Sequence, residues 1–128
     1  MNYLSDVEDF HTTVLGVTRP DSPTLVSAEY ALERANFMNE ELEEFLDAAH
    51  AGDIVGVADA LADIIYVALG TAHMMGLPFD LIWAAVQKAN MAKRRGVTRR
   101  GNAVDAVKPD GWTGPEREIA RAIAGVIE

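Results

Sequence analysis

Two pairs of carboxylates stand out in this chain, because their spacing places each pair on one face of a helix. Glu41 and Glu44 are three residues apart. Asp59 and Asp63 are four residues apart, further along the chain. Side chains at these spacings project from the same helix face, so two neighbouring helices would bring all four together. The apolar run 64–67 follows Asp63 directly, which predicts a cluster of acids in partly dry surroundings.

Such a cluster needs compensation, because gathered carboxylates repel one another and burial raises their pKa values further. Buried charges without a partner of opposite sign destabilise a fold. A ligand set made only of oxygen favours a hard divalent cation such as Mg²⁺ or Mn²⁺. The sequence therefore predicts a metal site. The predicted ligands are Glu41, Glu44, Asp59 and Asp63.

A solvated acidic face is the competing interpretation, since runs of glutamate on amphipathic helices are usually exposed. That interpretation accounts well for the stretch EELEE alone. It accounts less well for Asp59 and Asp63, because aspartate is a poor helix former away from the helix ends. We therefore prefer the metal site.

The composition limits the classes of protein to which the chain can belong. Its 128 residues, 49% of them hydrophobic, suffice for one domain with a core. We find no apolar run of the ~18 residues that a membrane span needs and no secretory signal pattern, so we expect a cytoplasmic protein without membrane contact. The lack of cysteine removes disulfides and thiol chemistry. A net charge of −9 argues against binding of a nucleic acid polymer.

The elements that must position the acids are helices, because apolar residues recur every three or four positions. Ser5 with Glu8 predicts a capping box for the first helix. Ser27 and Asp53 predict the N-caps of the two acidic helices, and Gly52 between them predicts an antiparallel hairpin. The predicted organisation is a single domain, 1–128, with a core over about 5–95 whose fourth helix runs from Pro78 to 93–95, a basic Gly- and Pro-rich loop over 96–114, and a C-terminal helix over 115–127.

Four motifs together carry a family resemblance. They are EELEE, then DALADIIYV, then GTAHMMGLP and finally VQKANMAKR. In this order they resemble the all-alpha nucleoside triphosphate pyrophosphohydrolase superfamily, in particular its MazG-like and phosphoribosyl-ATP pyrophosphohydrolase-like branch common in phages. The resemblance covers about residues 7–115. It implies an all-α fold with a four-helix-bundle core of MazG-like type, here with an extra C-terminal helix, in an oligomeric protein.

The metal motif of that superfamily has the form Glu-x-x-Glu, a spacer and Glu-x-x-Asp, and it binds Mg²⁺ that holds nucleotide phosphates. By this resemblance, Glu41 and Glu44 are the first pair and Asp63 is the final aspartate. The sequence departs from the motif at one position, because Ala60 stands where the superfamily has glutamate. Asp59 could supply the missing oxygen.

The resemblance also implies phosphate contacts near the end of the fourth helix and in the following loop. These contacts fit the charge distribution, since six of the eleven Lys and Arg residues lie between residues 88 and 100. Arg34, about two helical turns before the first acidic pair, could contact phosphate or pair with the carboxylates. The predicted phosphate-binding residues are Lys88, Asn90, Lys93, Arg34 and Lys108.

Base recognition is predicted for one aromatic ring and two amides. Trp112 lies in a Gly- and Pro-rich loop and could stack on a base, whereas Trp83 lies on a helix stripe and is expected to be the more buried. Asn36 and Asn39 could read the edge of the base. We lean toward a purine such as dGTP or GTP, because a larger ring gains more from stacking.

The implied reaction is hydrolysis of a nucleoside triphosphate between its alpha and beta phosphates, which gives a monophosphate and pyrophosphate. Glu41, Glu44 and Asp63 would form the catalytic set. Mg²⁺, for which Mn²⁺ could substitute, would neutralise phosphate oxygens and lower the pKa of the attacking water. The resemblance further implies a homodimer or homotetramer with nucleotide sites near the interface.

Three alternatives stay open. Hydrolysis of phosphoribosyl-ATP is a rival within the same class of enzyme. A non-catalytic helical interaction module with a residual metal site belongs to another class, and Ala60 is the observation in its favour. A ferritin-like di-metal bundle would need Glu-x-x-His on two helices, and here only Asp47 with His50 approximates one of them. Release of pyrophosphate would separate the hydrolases from the interaction module.

Overall fold

The computed structural model describes residues 1–98, 100 and 104–125, and most of its regular structure is helical. The predicted all-α class is confirmed. The chain forms two compact units, residues 1–77 and residues 78–128. In chain order, the elements are α1 (Tyr3–Asp9), a π-helix (Phe10–Val14), α2 (Ala28–His50), α3 (Ile54–Met74), α4 (Phe79–Met91), β1 (Arg94–Gly96), β2 (Asp105–Val107) and α5 (Glu116–Ile123).

Helices α2 and α3 form the helical hairpin that dominates the first unit. Ser27 caps α2, since its Oγ accepts a hydrogen bond from the Tyr30 N–H at 3.1 Å. Asp53 caps α3 by accepting from the Gly56 N–H at 3.0 Å. Gly52 lies between the helices with a φ of +70°, a left-handed conformation that glycine adopts without strain. Both predicted caps and the glycine link are confirmed.

The first helix begins differently from the prediction. Asn2 is the N-cap of α1, because its Oδ1 accepts a hydrogen bond from the Ser5 N–H at 3.0 Å. The predicted capping box of Ser5 with Glu8 is therefore wrong, and Ser5 lies inside the helix. The π-helix that follows α1 is also unpredicted. In it the Leu15 N–H bonds to the Phe10 carbonyl, five residues earlier, at 3.2 Å.

The apolar core of the first unit is small and comes mainly from α3 and α1. Its buried apolar side chains are Val7, Ala60, Val67, Leu69 and Ala72. Helix α2, all of whose residues are described, contributes a single buried residue, and that residue is Glu41. The hairpin thus places a carboxylate where an apolar side chain would ordinarily pack.

Helices α4 and α5 pack against each other in the second unit. Helix α4 begins after Pro78 and ends at Met91, slightly before the predicted end. Helix α5 begins after Pro115 and ends at Ile123, within the predicted helix 115–127. The last residues of that predicted helix lie outside the described part of the chain. The buried residues of α4 are Ile82, Ala85 and Ala89.

A two-stranded antiparallel sheet follows α4, where the sequence predicts a helix end and a loop. Strands β1 and β2 pair with Arg95 opposite Ala106. The predicted loop over 96–114 therefore contains a strand, because three residues are too few to show an apolar alternation in the sequence. Arg99 and residues 101–103 of the same predicted loop lie outside the described residues.

Helix α3 is long and apolar enough to cross a membrane by length and composition alone, which corrects the expectation that the chain has no such stretch. It has 21 residues, and its most apolar window has a mean hydropathy of 1.7. The core helix of a soluble protein meets the same criteria, so this finding does not assign α3 to a membrane. Asp59 and Asp63 lie within α3, and carboxylates at membrane depth are costly.

Candidate active site

The acidic cluster, defined as Glu41, Glu44, Asp59 and Asp63, lies between α2 and α3. The residues of α2 that are wholly or partly buried recur every three or four positions, and Glu41 falls on this stripe. One carboxylate oxygen from each of Glu41, Glu44 and Asp63 lies within 4.8 Å of the other two. The structure therefore brings together three of the four predicted ligands.

Burial and mutual repulsion perturb two carboxyl groups of the acidic cluster. Glu41 is 9% exposed, and this burial is the main cause that raises its pKa to about 7. A hydrogen bond to Glu44 and the negative charges of Glu44, Asp63 and Asp59 raise it further. The pKa of Asp63 is also raised, first by burial and then by the charges of Asp59 and Glu44. Without a cation, protons therefore bind to Glu41 and Asp63 more tightly than to ordinary carboxylates.

The donor set fits a hard divalent cation. Every candidate ligand atom is a carboxylate oxygen, which Mg²⁺ and Mn²⁺ prefer. The Oε2 atom of Glu41 is buried and has no hydrogen-bond partner among the described residues. Such an oxygen is costly unless a cation or a proton satisfies it. The acidic cluster can therefore hold a metal ion.

Asp59 lies close to Glu41 and Asp63, because its charge raises the pKa values of both. It does not belong to the compact group of three, and it is exposed. Its role as the fourth ligand stays a prediction. Ala60, which replaces the glutamate of the superfamily motif, is buried in the core of the first unit.

Residues 7–90, well over half of the sequence, match the family model of phosphoribosyl-ATP pyrophosphohydrolase. The chain belongs to this family. Membership confirms the superfamily resemblance and gives the chain a pyrophosphohydrolase activity on nucleotides. A comparison with curated proteins finds no match.

The family match covers the acidic cluster but only part of the predicted phosphate-binding region. Lys88 and Asn90 lie at its end, whereas Lys93, Lys108 and Trp112 lie beyond it. For these last three residues, only their own contacts in the structure bear on a role in this pyrophosphohydrolase.

Arg34 is held on α3 and is not paired with the acidic cluster. Its Nε donates to the Thr71 Oγ1 at 2.9 Å, and its Nη2 donates to the Val67 carbonyl at 3.0 Å. Its guanidinium also lies 5.7 Å from the centre of the Phe37 ring. The prediction that Arg34 pairs with the carboxylates is therefore wrong. Its guanidinium donates to a hydroxyl and a backbone carbonyl on α3 instead. Its contact with phosphate stays a prediction.

Asn36 and Asn39, the amides predicted to read the base, are both exposed on α2. Their side chains are therefore accessible to a ligand. The hydrogen bonds of the described residues do not involve either amide side chain. Base recognition by these residues stays a prediction.

The predicted phosphate-binding lysines of the second unit have different surroundings. Lys88 donates to the Glu118 Oε1 at 2.8 Å, and this hydrogen bond is the main cause that raises the pKa of Lys88. Lys93 and Lys108 lie over the ring of Trp112. Asn90 lines a cavity of about 620 Å³ next to the β1–β2 sheet, and Lys93, Arg94 and Arg95 line the same cavity.

The two tryptophans reverse the expected order of burial. Trp83 is 63% exposed, although it lies on a helix stripe. Trp112 is half-buried in its loop, because its indole Nε1 donates to the Ala89 carbonyl at 2.8 Å. The expectation that Trp83 is the more buried residue is therefore wrong for the described chain.

Two buried imidazoles, His11 and His73, lie close together in the first unit, with ring centroids 5.5 Å apart. His11 is 2% exposed and its Nδ1 bonds to the Val7 carbonyl at 2.9 Å. His73 is also buried, with its Nδ1 3.5 Å from the Glu8 Oε2. Among the described residues these side chains do not form a group with metal-site spacing. The spacing of His11 with Val7, one helical turn apart, is the sequence signal for its inward position.

Proposed function

We propose that the chain is a Mg²⁺-dependent nucleoside triphosphate pyrophosphohydrolase that converts a (d)NTP and water to the (d)NMP and pyrophosphate. One observation carries the proposal. Glu41, in a chain of this family, is buried next to the carboxylates of Glu44 and Asp63, and its Oε2 has no hydrogen-bond partner among the residues that the structure describes. A protein gains nothing in stability from such an arrangement, so its retention favours a metal-dependent reaction over a residual site.

Glu41, Glu44 and Asp63 would hold the metal ion, with Asp59 as the further candidate ligand. A bound Mg²⁺, or Mn²⁺ in its place, supplies positive charge that offsets the phosphate oxygens and acidifies water. We choose Glu41 as a ligand because it is buried. Glu44 is exposed, so it can meet the attacking water and serve as the base. In the reaction, a water oxygen forms a bond to the alpha phosphorus while the bond to the bridging oxygen breaks. Glu44 accepts the proton of the water, and pyrophosphate leaves.

The remaining groups of the chain would bind the two ends of the substrate. Cationic and amide side chains would contact the phosphate oxygens that the metal ion does not bind. The proposed contacts are Lys88, Asn90, Lys93, Lys108 and Arg34. At the other end, Asn36 and Asn39 would read the base, for which we retain the lean toward dGTP or GTP. Stacking of Trp112 on the base stays a prediction.

The wider setting follows from the same proposal. A nucleotide pyrophosphohydrolase with a net charge of −9 is expected to act on free nucleotides in the cytoplasm, without a nucleic acid polymer or a membrane as partner. Exposed apolar side chains on both helices of the hairpin support a homodimer or homotetramer.

Phosphoribosyl-ATP is the second candidate substrate, because the description of the matching family names it. It carries the same triphosphate bond, so the acidic cluster serves either reaction. The two candidates differ only in the groups attached beyond the phosphates.

A product assay with the purified protein tests the proposal. Each of the eight common nucleoside and deoxynucleoside triphosphates, and phosphoribosyl-ATP, is incubated with the protein and Mg²⁺, and the phosphate products are separated. We expect pyrophosphate and a monophosphate, with a higher kcat/KM for purine than for pyrimidine triphosphates. Orthophosphate as the first product would contradict attack at the alpha phosphorus. Equal rates for dCTP and dGTP would remove the purine preference.

Two neighbouring glutamates provide a matched pair of variants for the same assay. Glu44→Gln should lower kcat/KM by about 10²-fold or more, because a general base or ligand is lost. Glu43→Gln removes an exposed carboxylate from the next position, outside the acidic cluster, and should retain activity. Equal activity of both variants would refute the role of Glu44. Lack of turnover with every substrate would favour the interaction module.

A further inference from the structure

Trp112 is fixed against the C-terminal part of α4. Its indole Nε1 donates to the Ala89 carbonyl at 2.8 Å, and its backbone N–H bonds to the Pro109 carbonyl at 3.0 Å. The residue also lines a cavity of about 420 Å³ together with Lys88 and Glu118. The side chain and the backbone of Trp112 each form a hydrogen bond, so the ring has a defined orientation in the second unit.

Two lysines lie over this fixed ring. The Nζ of Lys93 is 5.3 Å from the ring centroid, and the Nζ of Lys108 is 5.0 Å from it. Both distances lie within the range of about 6 Å over which an ammonium group is attracted to an aromatic face. The two distances together limit the separation of the ammonium nitrogens to about 10 Å. Lys93 directly precedes β1 and Lys108 directly follows β2, and Arg94 pairs with Val107, so the sheet brings both lysines to the same end. The ring of Trp112 lies beside both of their ammonium groups.

Neither of these ammonium groups has a carboxylate partner within the part of the chain that the structure describes. Lys88 behaves differently, since Glu118 already neutralises it at 2.8 Å. Two unpaired like charges near one ring repel each other, and an anion bound by both offsets that repulsion. A pyrophosphate group has several oxygens that can accept hydrogen bonds from both lysines at once.

We propose that Trp112 is a positioning residue that holds Lys93 and Lys108 as a pair for the pyrophosphate portion of the substrate. This inference rests on the proposed function and deepens it, because it assigns Trp112 to the phosphate end. A base that stacked on the ring would compete with the ammonium groups for its faces. The favoured role is therefore support of the two lysines, and base stacking is an alternative outcome of the test.

Binding of magnesium pyrophosphate, measured by titration calorimetry, tests the proposal without turnover. Trp112→Leu removes the aromatic face and should weaken pyrophosphate binding about tenfold, as the loss of two cation–π contacts allows. Trp112→Phe keeps an aromatic face but loses the indole N–H, and it should restore most of the affinity. Trp83→Leu, the same change at the other tryptophan of the chain, should leave the affinity unchanged.

A double-mutant cycle distinguishes positioning from a general loss of structure. If Trp112 acts through Lys93, then Trp112→Leu should cost much less affinity in the Lys93→Met background than in the wild type. The purine to pyrimidine ratio of kcat/KM should be the same in Trp112→Leu and in the wild type. Circular dichroism of each variant confirms that the comparison is between folded proteins.

Fluorescence gives an independent readout if Trp112→Leu does not fold. In Trp83→Phe, Trp112 is the only tryptophan of the chain, and pyrophosphate should change its emission because the anion offsets the two positive charges beside the ring. Unchanged emission while calorimetry shows binding would overturn the proposal, as would wild-type affinity in a folded Trp112→Leu. Loss of base preference with intact pyrophosphate affinity would establish stacking instead. The proposed function fails separately, if wild-type protein hydrolyses no nucleotide.

Discussion

Glu41 shows, at the scale of one residue, why an acidic stretch can face the interior. Its carboxylate occupies the inner stripe of α2, where burial is costly unless a cation or a proton compensates. The pKa of about 7 means that a proton already compensates in part near neutral pH. Protons and metal ions therefore compete for the same oxygens.

In metal-free protein, the free energy of unfolding should contain a contribution from Glu41 that grows as the pH falls. The folded pKa of about 7 lies above the ordinary value of 4.5, so the folded state binds the proton more tightly than the unfolded state. The contribution is complete below pH 4.5 and is lost as the pH rises through 7. Urea unfolding in EDTA at a series of pH values measures it. Glu41→Gln should flatten this dependence and be more stable than wild type above pH 7.

Mn²⁺ should also stabilise the folded state through Glu41, but its contribution to the free energy of unfolding should grow as the pH rises. A hundredfold excess over Kd stabilises the native state by about 2.7 kcal/mol, and this gain should shrink as the pH falls through 7 because protons displace the metal. Thermal melts with and without Mn²⁺ measure the gain. Glu43→Gln should keep it and Glu41→Gln should lose it. If Mn²⁺ leaves the melting temperature of the wild type unchanged at pH 8, this result would count against the metal site.

The sequence predicts the positions of the acidic residues better than it predicts the hydrogen-bond partners of Arg34 and Trp112. The spacing of Glu41 and Glu44 determines a shared helix face, so local pattern is sufficient to find them. The partners of Arg34 and Trp112 include the carbonyls of Val67 and Ala89. Every residue has a carbonyl, so no residue type in the sequence marks such a partner.

At the scale of elements, helix ends are predictable where one residue type dominates the local choice. Ser27 and Asp53 are favourable N-cap residues directly before their helices, and both act as predicted. Asn2 and Ser5 are both good N-cap residues, and the structure uses the earlier one. The β1–β2 sheet depends on pairing between segments about ten residues apart, which periodicity within one segment does not reveal.

The π-helix and α3 approach each other closely at Gly70. A Cβ atom at this position would lie 2.5 Å from the His11 Cε1 and 2.7 Å from the His11 Nε2. It would also lie 3.2 Å from the Arg34 Nη2. His11 is held by its hydrogen bond to the Val7 carbonyl, so its ring cannot move away without losing that bond. The glycine is therefore needed for packing in the middle of a helix, where alanine would otherwise be preferred.

Gly70→Ala should destabilise the protein, although helix propensity alone predicts the opposite. Alanine gains about 1 kcal/mol over glycine within a helix, whereas overpacking a tight contact costs typically about 1–3 kcal/mol. We expect a net loss of about 1 kcal/mol in the free energy of unfolding, measured by urea denaturation.

Gly70→Ala in a His11→Ala background tests whether His11 is the residue that clashes with the added methyl group. With the imidazole removed, Gly70→Ala should become neutral or stabilising, because the added methyl group then meets only the Arg34 Nη2 at 3.2 Å, the far end of a flexible side chain. A loss of the same size in both backgrounds would show that His11 is not the residue that requires glycine.

At the scale of the whole molecule, the chain exposes many large apolar side chains while its core is small. Exposed leucines and isoleucines occur on both helices of the hairpin. They include Leu32, Leu42, Leu46, Leu61 and Ile65. The amphipathic pattern of the sequence predicts these residues as apolar helix positions, but it does not tell a core position from an interface position. Exposed apolar residues on two paired helices indicate contact with another protein surface, and a second copy of the chain is the partner that we propose.

Leu46→Glu should therefore weaken self-association. Leu46 is 51% exposed on α2, and a symmetric dimer would bury it twice, once from each copy. About half of each leucine is left to bury, which is worth about 0.8–1.5 kcal/mol per copy, so the dissociation constant should rise about tenfold to a hundredfold. Light scattering coupled to size-exclusion chromatography, over a range of protein concentrations, measures the mass of wild type and variant.

Leu25→Glu is the matched control for this experiment. Leu25 is 86% exposed but lies in the segment before α2, outside the paired helices, so its replacement should leave the mass unchanged. If both variants lower the mass equally, added charge and not a specific surface is responsible. If wild type has the mass of one chain at every concentration, the exposed leucines do not mediate self-association and the proposed homo-oligomer is wrong. If the proposed sites lie near the interface, Leu46→Glu should also lower kcat/KM at concentrations where it dissociates.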